Sequence, residues 1–322
     1  MNAMPRDTVA TTGPLWAKRS GLQRLEGRAV SIFLVICTLV TALTTLGIVI
    51  VLGTETVRFF QVSHVGIGEF LVGHEIEFPN RAGGGPIHFG ILALVWGTFV
   101  IAAGACVIAL PIGLLSAIYL SEYAPRRLRA VLKPALELLA GVPTIVYGYL
   151  ALMMVTPALR ALLTPLGVHV DTFNALSACI VVGVMIIPMV SSLSEDVLSA
   201  VPRGLREAAY GLGATKFEVS TKIVLPAGLS GVVASFILAI SRAVGETMAV
   251  VLAAGRQPNL SLNPLKSVET MTAYIVAVIG GEAAPESPEA LSLFAVGMVL
   301  FGFTLMLNIV SGLVLKRYRE VY

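Results

Sequence analysis

Six apolar stretches, at about 29–53, 89–120, 136–159, 173–193, 229–255 and 291–315, recur along this 322-residue chain. A helix rising about 1.5 Å per residue needs roughly 20 apolar residues to cross a hydrocarbon core about 30 Å thick, and these runs are long enough. Only 13% of the residues are charged and 56% are hydrophobic, where an ordinary soluble domain carries about 25% charged residues. With a mean hydropathy of +0.88, the expected class is an all-α polytopic membrane protein with six transmembrane helices. The net charge of +3 gives no reason to expect a nucleic-acid partner. Cys37, Cys106 and Cys179 all fall inside apolar runs and read as small hydrophobes, with no disulfide framework or metal cluster.

Lys and Arg in the connections set the expected orientation, because cytoplasmic loops retain the cations. One side collects Lys18, Arg19, Arg24 and Arg28, then Arg126, Arg127, Arg129 and Lys133, then Arg203, Arg206, Lys216 and Lys222, and finally Lys316, Arg317 and Arg319. The other side holds Arg58, Arg81, Arg160, Arg256 and Lys266. Both termini are therefore expected in the cytoplasm, with the chain crossing the membrane several times. The organisation that follows is a basic tail at 1–28, a first transmembrane helix at 29–53, an extracytoplasmic loop at 54–88, a core domain at 89–315 and a tail at 316–322. The first run is too long for a signal-peptide core and reads as an uncleaved span. A stretch at 271–279 is apolar but short, which suits an interfacial or re-entrant helix on the outer face. Gly83–Gly84–Gly85–Pro86 reads as a turn leading into the second span.

Arg242 and Glu246 lie inside the fifth apolar run. On one continuous helix, residues four apart share a face with Cβ atoms about 5–6 Å apart. A charge at bilayer depth costs about 2.5–3.5 kcal/mol or more, so such groups face a bundle interior or a polar path. Two readings stand: a neutralised pair that fixes helix packing, or a transit point for a polar solute. Pro111, Pro143, Pro157 and Pro188 punctuate the spans, and each frees a carbonyl that other groups must satisfy. Thr144 and Tyr147 carry hydroxyls beside Pro143, and Ser191 and Ser192 follow Pro188, as candidates to line such a path. His64, His74, His88 and His169 match no metal-ligand spacing.

The connection at about 199–226, on the side rich in cations, carries the most specific pattern. It reads Glu207–Ala208–Ala209, three residues, Gly213, nine residues, then Ile223–Val224–Leu225–Pro226. A helix starting near Ser199 or Val201–Pro202 would align Leu205, Ala208, Ala209 and Leu212 on one apolar face. Gly213 would supply a sharp turn, and a second helix from about Lys216 to Val224 would lead into the fifth span. Two short helices joined at a glycine make a knob through which a soluble partner can lever the membrane helices.

This string resembles the EAA coupling loop of ABC-importer permeases, matching at Glu207, Ala208, Ala209, Gly213, Ile223, Leu225 and Pro226. Phe89–Gly90–Ile91, Trp96–Gly97–Thr98, Ile118–Tyr119–Leu120–Ser121–Glu122–Tyr123–Ala124, Gly141–Val142–Pro143–Thr144–Ile145–Val146–Tyr147–Gly148 and Arg242–Ala243–Val244–Gly245–Glu246–Thr247–Met248–Ala249 are similar to the PstC-type permeases of phosphate-specific transport. The resemblance covers about 55–315, and the insert at 81–86 is its chief departure. It implies a type I ABC-importer permease fold, pairing with a PstA-type permease and two PstB-type ATP-binding cassette subunits. It also implies delivery of phosphate by an extracytoplasmic PstS-type binding protein, with Arg242 and Glu246 on the phosphate path. The chain shows no GxxxxGK[ST] phosphate cradle, so ATP and Mg are expected on the partner ATPase, with no cofactor in this chain and no catalysis of its own. Physically, a guanidinium fork suits an oxyanion, and a carboxylate accepting a hydrogen bond from protonated phosphate would disfavour sulfate. Alternatives are a permease for sulfate, molybdate or phosphonate, and an ion-coupled secondary transporter, although no inverted repeat is visible. A membrane-embedded hydrolase would need a nucleophile–base set or HExxH in the spans, and neither is found.

Overall fold

The computed structural model describes residues 21–78, 87–281 and 283–318. The tail up to residue 20, the glycine-rich turn at 83–86 and residues 319–322 lie outside the described residues. Two units are distinguished, Met1–Val51 and Leu52–Tyr322. Helix α1 (Gly21–Ser63) begins in the first, where its apolar side chains from Val30 to Ile48 are exposed, as suits a lipid-facing surface. It runs ten residues past the expected end at 53, because nothing from 54 to 63 breaks a helix. His64, at φ 55, and Gly66 follow its last turn.

In the second unit, α2 (Ile67–Val72) leads to a short antiparallel ladder of β1 (Ile76–Glu77) and β2 (His88–Phe89). Phe59, Phe60, Phe70, Phe78, Phe89 and Tyr274 join there into an aromatic cluster with ring centroids 5.2–6.1 Å apart. The spans follow: α3 (Leu92–Ile118), the amphipathic α4 (Arg126–Ala140), α5 (Thr144–Leu150) continuing into α6 (Thr156–Leu163), and α7 (Ala175–Ala200). After α7 come α8 (Arg203–Gly211), α9 (Lys216–Glu218), α10 (Leu225–Ala227), α11 (Leu229–Val244) and α12 (Met248–Ala253). The chain closes with α13 (Met271–Ile279) and α14 (Pro288–Tyr318). Among the described residues, five helices are long and apolar enough to cross a membrane, and six if the bent pair 216–227 and 229–244 counts as one span.

Two differences from the sequence reading have clear physical causes. The third span begins at Thr144, not 136: Gly141 ends α4 and Pro143 starts a new helix, so 136–140 belong to the amphipathic α4. The fifth run is not one helix, since α11 stops at Gly245 and α12 restarts at Met248. Helix α13, expected as interfacial or re-entrant, is buried through Met271, Thr272, Ala273, Tyr274 and Val278 and packs against α3 and α14.

Among the described residues, three wide π turns interrupt the helices, at Tyr119–Tyr123, Ala151–Val155 and Val219–Val224. Each ends two residues before a proline: Pro125, Pro157 and Pro226. The residue just ahead of each proline donates five positions back, Ala124 to Tyr119, Thr156 to Ala151 and Leu225 to Ser220. A proline ring clashes with the carbonyl four residues earlier and supplies no N–H. Widening the preceding turn by one residue takes that carbonyl out of the way. Pro111, Pro134 and Pro188 sit inside helices without such a turn.

The core is the α3–α7 contact. A Cβ at Gly104 would lie 2.4 Å from Cys179 Sγ, and one at Gly183 3.1 Å from the Ala105 carbonyl, so small residues let the two helices approach. Asn174 caps α7, accepting from the Ser177 N–H at 2.8 Å.

Candidate functional site

Arg242 is on the last turn of α11, and the chain then breaks at Gly245. Glu246 falls in the break and is 7% exposed. Its side chain accepts from the Ala249 N–H at 3.2 Å and so closes the first turn of α12. Thr272, on the re-entrant α13, donates to the Glu246 carbonyl at 2.9 Å. The expected i, i+4 pair on one helix is therefore corrected: a glycine stop separates the residues, and no ion pair joins them among the described residues. They nevertheless meet, lining one cavity of about 420 Å³ with Met189, Leu238, Ser241 and Gly245. Arg242 is exposed and has no hydrogen bond or ion pair to the described residues. Its guanidinium is thus an uncommitted fork beside a buried carboxylate, at a break that presents polar backbone within the helix bundle. Broken helices supply polar groups in just this way where a membrane protein lines a cavity.

Thr144 and Tyr147 do not line that cavity. Thr144 opens α5, and the Tyr147 hydroxyl donates to the Leu139 carbonyl at 2.9 Å, tying α5 to the end of α4. Ser191 is fully buried on α7. The contribution of this region is positional. A Cβ at Gly148 would lie 2.9 Å from Leu252 Cβ and 3.0 Å from Ala249 Cα, so α5 seats directly on α12.

The knob forms as the sequence suggests, with α8 beginning after Pro202 and Gly213 turning the chain at φ 86. Thr215 and Glu218 cap the next helix reciprocally. Ala209 is buried, while Glu207 and Ala208 are exposed. Leu212 at 91% and Phe217 at 69% exposure leave an unpartnered apolar tip. Val224 is buried, and Leu225 and Pro226 run into a bend of 72° ahead of α11.

The sequence reading missed the ionic joints behind this knob. Arg206 of α8 reaches Glu122 at 2.9 Å and donates to the carbonyls of Leu198 and Val201. It thereby ties the knob to the end of α3 and to the last carbonyls of α7. Glu195, with no exposure, accepts from Lys133 at 2.7 Å, from Arg129 and from Ser199 at 2.8 Å. Lys133 also pairs with Asp196. The partners are 62 to 84 positions apart in sequence, so no local pattern announces them. The signal in the sequence was six acidic or basic residues near the ends of apolar runs.

Residues 109–320 match the family described as binding-protein-dependent transport system inner membrane component. The phosphate transport system permease protein PstC of Xylella fastidiosa is 38% identical over 244 residues, 71% of this chain and 74% of that one. A probable ABC transporter permease protein of Bacillus subtilis, YqgH, is 30% identical over 311 residues, 95% of this chain and 97% of that one. Among solved structures, a bacterial alginate ABC transporter superposes with a TM-score of 0.60 at 12% identity, covering 92% of this chain and 95% of that one. The inward-facing MetNI methionine ABC transporter superposes at 0.50 and 19% identity, covering 71% and 94%. These two show the fold.

Proposed function

Because the chain belongs to the binding-protein-dependent transport permeases, among those of PstC type, we propose that it forms half of the membrane pore of an ATP-driven phosphate importer. The observation that carries this reading is the cavity at the α11–α12 break, where an uncommitted guanidinium stands beside a buried carboxylate. The exposed face that carries Arg242, Gly245 and Leu238 is the one a homologous PstA-type permease would cover to close the pore. Arg242 engages the ion through charge-assisted hydrogen bonds, in place of part of its lost hydration. Glu246 accepts from a protonated phosphate oxygen and repels a fully ionised sulfate.

Both termini lie in the cytoplasm, and the chain is multi-pass in a bacterial cytoplasmic membrane. The apolar tip at Leu212 and Phe217, with Glu207 and Ala208 beside it, docks on a PstB-type ATPase that binds ATP and Mg. A PstS-type protein delivers phosphate to the opposite face. Motion of the ATPase enters the membrane through Arg206 into α3 and α7, as well as through the bend before α11. The pattern residues Ala209, Gly213, Ile223, Leu225 and Pro226 shape that joint.

Uptake of radiolabelled phosphate by the full complex in proteoliposomes tests the reading. Arg242→Ala assembles with the ATPase and abolishes uptake. Glu246→Gln admits sulfate as a competitor. Full uptake by Arg242→Ala refutes the assignment.

A further inference from the structure

A cavity of about 890 Å³ lies at the end of the bundle opposite the knob. Its walls carry Arg160, Arg256, His169 and Asp171, and Val251 and Leu252 of α12 form part of it. Five cations are expected on that side: Arg58, Arg81, Arg160, Arg256 and Lys266. Arg58 is committed to Glu286 at 3.0 Å and Glu55 at 3.6 Å. Two of the others share this one cavity, so the scarce positive charge of the face is concentrated rather than spread.

The two guanidiniums are presented differently. Arg160 donates from Nε to the Val170 carbonyl at 3.0 Å and from Nη2 to Thr172 Oγ1 at 2.8 Å. Those bonds fix the group and leave Nη1 and the second Nη2 hydrogen without a partner among the described residues. Arg256, exposed just past α12, has no hydrogen bond or ion pair among the described residues. His169 faces Asp171 at 3.4 Å, so the acid in the wall has its own partner. Gly255 turns the chain between them at φ 89, where a Cβ would lie 2.4 Å from Ser267 Oγ and 2.8 Å from Phe173 Cβ. That tight turn sets Arg256 at the rim. Helix α12 has six residues, about 9 Å at 1.5 Å per residue. It connects this cavity at one end to Glu246 at the other.

We propose that this cavity is an oxyanion-capture site, in which inorganic phosphate rests on Arg160 and Arg256 before passing along α12 to Arg242. The inference rests on the pore assignment above. A pre-oriented fork and an unpaired second cation raise the local concentration of an anion at the pore entrance. They also hold it by charge-assisted hydrogen bonds.

The test uses the full complex in proteoliposomes with phosphate-loaded binding protein, measuring phosphate uptake and ATP hydrolysis together. Arg256→Gln lowers kcat/KM for uptake by about tenfold, the scale of one lost charged hydrogen bond. Arg160→Gln adds to the loss, and Arg256→Lys restores most of it. The concentration of binding protein that half-maximally stimulates ATP hydrolysis stays unchanged. Unchanged uptake in Arg256→Gln overturns the proposal. So does a raised requirement for binding protein in the ATPase assay, which would make the cavity a docking face. Arg160 also anchors its own loop, so if its variant does not assemble, Arg256→Gln decides alone. A wild-type complex that carries no phosphate would sink the pore assignment; normal wild-type uptake with an indifferent Arg256→Gln sinks the capture site only.

Discussion

The joint at Glu195 makes a quantitative prediction because its members differ so much in exposure. The carboxylate is fully buried, whereas the Arg129 and Lys133 side chains are 36% and 25% exposed. Replacing both cations, Arg129→Met with Lys133→Met, leaves a desolvated carboxylate with only the Ser199 hydroxyl at 2.8 Å. Removing the partners of a buried charge costs about 3–5 kcal/mol. Replacing the acid instead, Glu195→Leu, frees two cations that already touch solvent, and Lys133 keeps Asp196. Ser199 retains Ser121 Oγ at 3.5 Å as an alternative contact. That change should cost about 1–2 kcal/mol, the scale of a lost hydrogen bond. In scanning fluorimetry of the purified protein in detergent, the double methionine variant should melt on the order of 10 °C lower than wild type. Glu195→Leu should fall only a few degrees. If Glu195→Leu is the more damaging of the two, the carboxylate is not the desolvated partner, and the account of this joint fails.

Two further predictions concern the ends of the bundle. Leu212→Asp with Phe217→Asp places charge on the exposed tip of the knob; the chain should stay folded yet lose co-purification with the ATPase, measured by size-exclusion chromatography of the complex. Glu269, in the connection ahead of α13, has its carboxyl pushed up by burial to about 7, with the Arg256 charge opposing the shift. Its raised value means the folded chain keeps a proton that the unfolded chain releases, so stability declines as pH rises from about 4.5 to about 7. Glu269→Gln should flatten the melting-temperature profile across that window.

Local rules carried the sequence reading a long way. Run lengths located the membrane helices, Gly213 placed the turn of the knob, and Pro202 marked the start of α8. The failures came where two local rules compete or where no local rule exists. At Arg242 and Glu246, hydropathy argued for one helix across 229–255, while Gly245 argued for a stop. The stop prevails because Glu246 can close the next helix with its own side chain and because Thr272 takes up the Glu246 carbonyl. An uninterrupted apolar run therefore does not establish an uninterrupted helix. At 136–140 the apolar residues of an amphipathic helix abut the span, and hydropathy alone cannot separate them until Gly141 and Pro143 are given weight.

The prolines show what was legible but not read. Pro125, Pro157 and Pro226 each follow a π turn by two residues, and each stands at a joint: between α3 and α4, within the third span, and between the knob and α11. A proline that is accommodated by widening the turn ahead of it leaves a local register that an ordinary α-helix does not share. The ionic ties of Arg206 and Glu195 hold α8 to α7 and to the π turn that ends α3, and α4 to α7. A push on the knob would then move the body of α3, α4 and α7 together, and the strain would be taken up at Gly228 and at the break after Val244, beside Arg242.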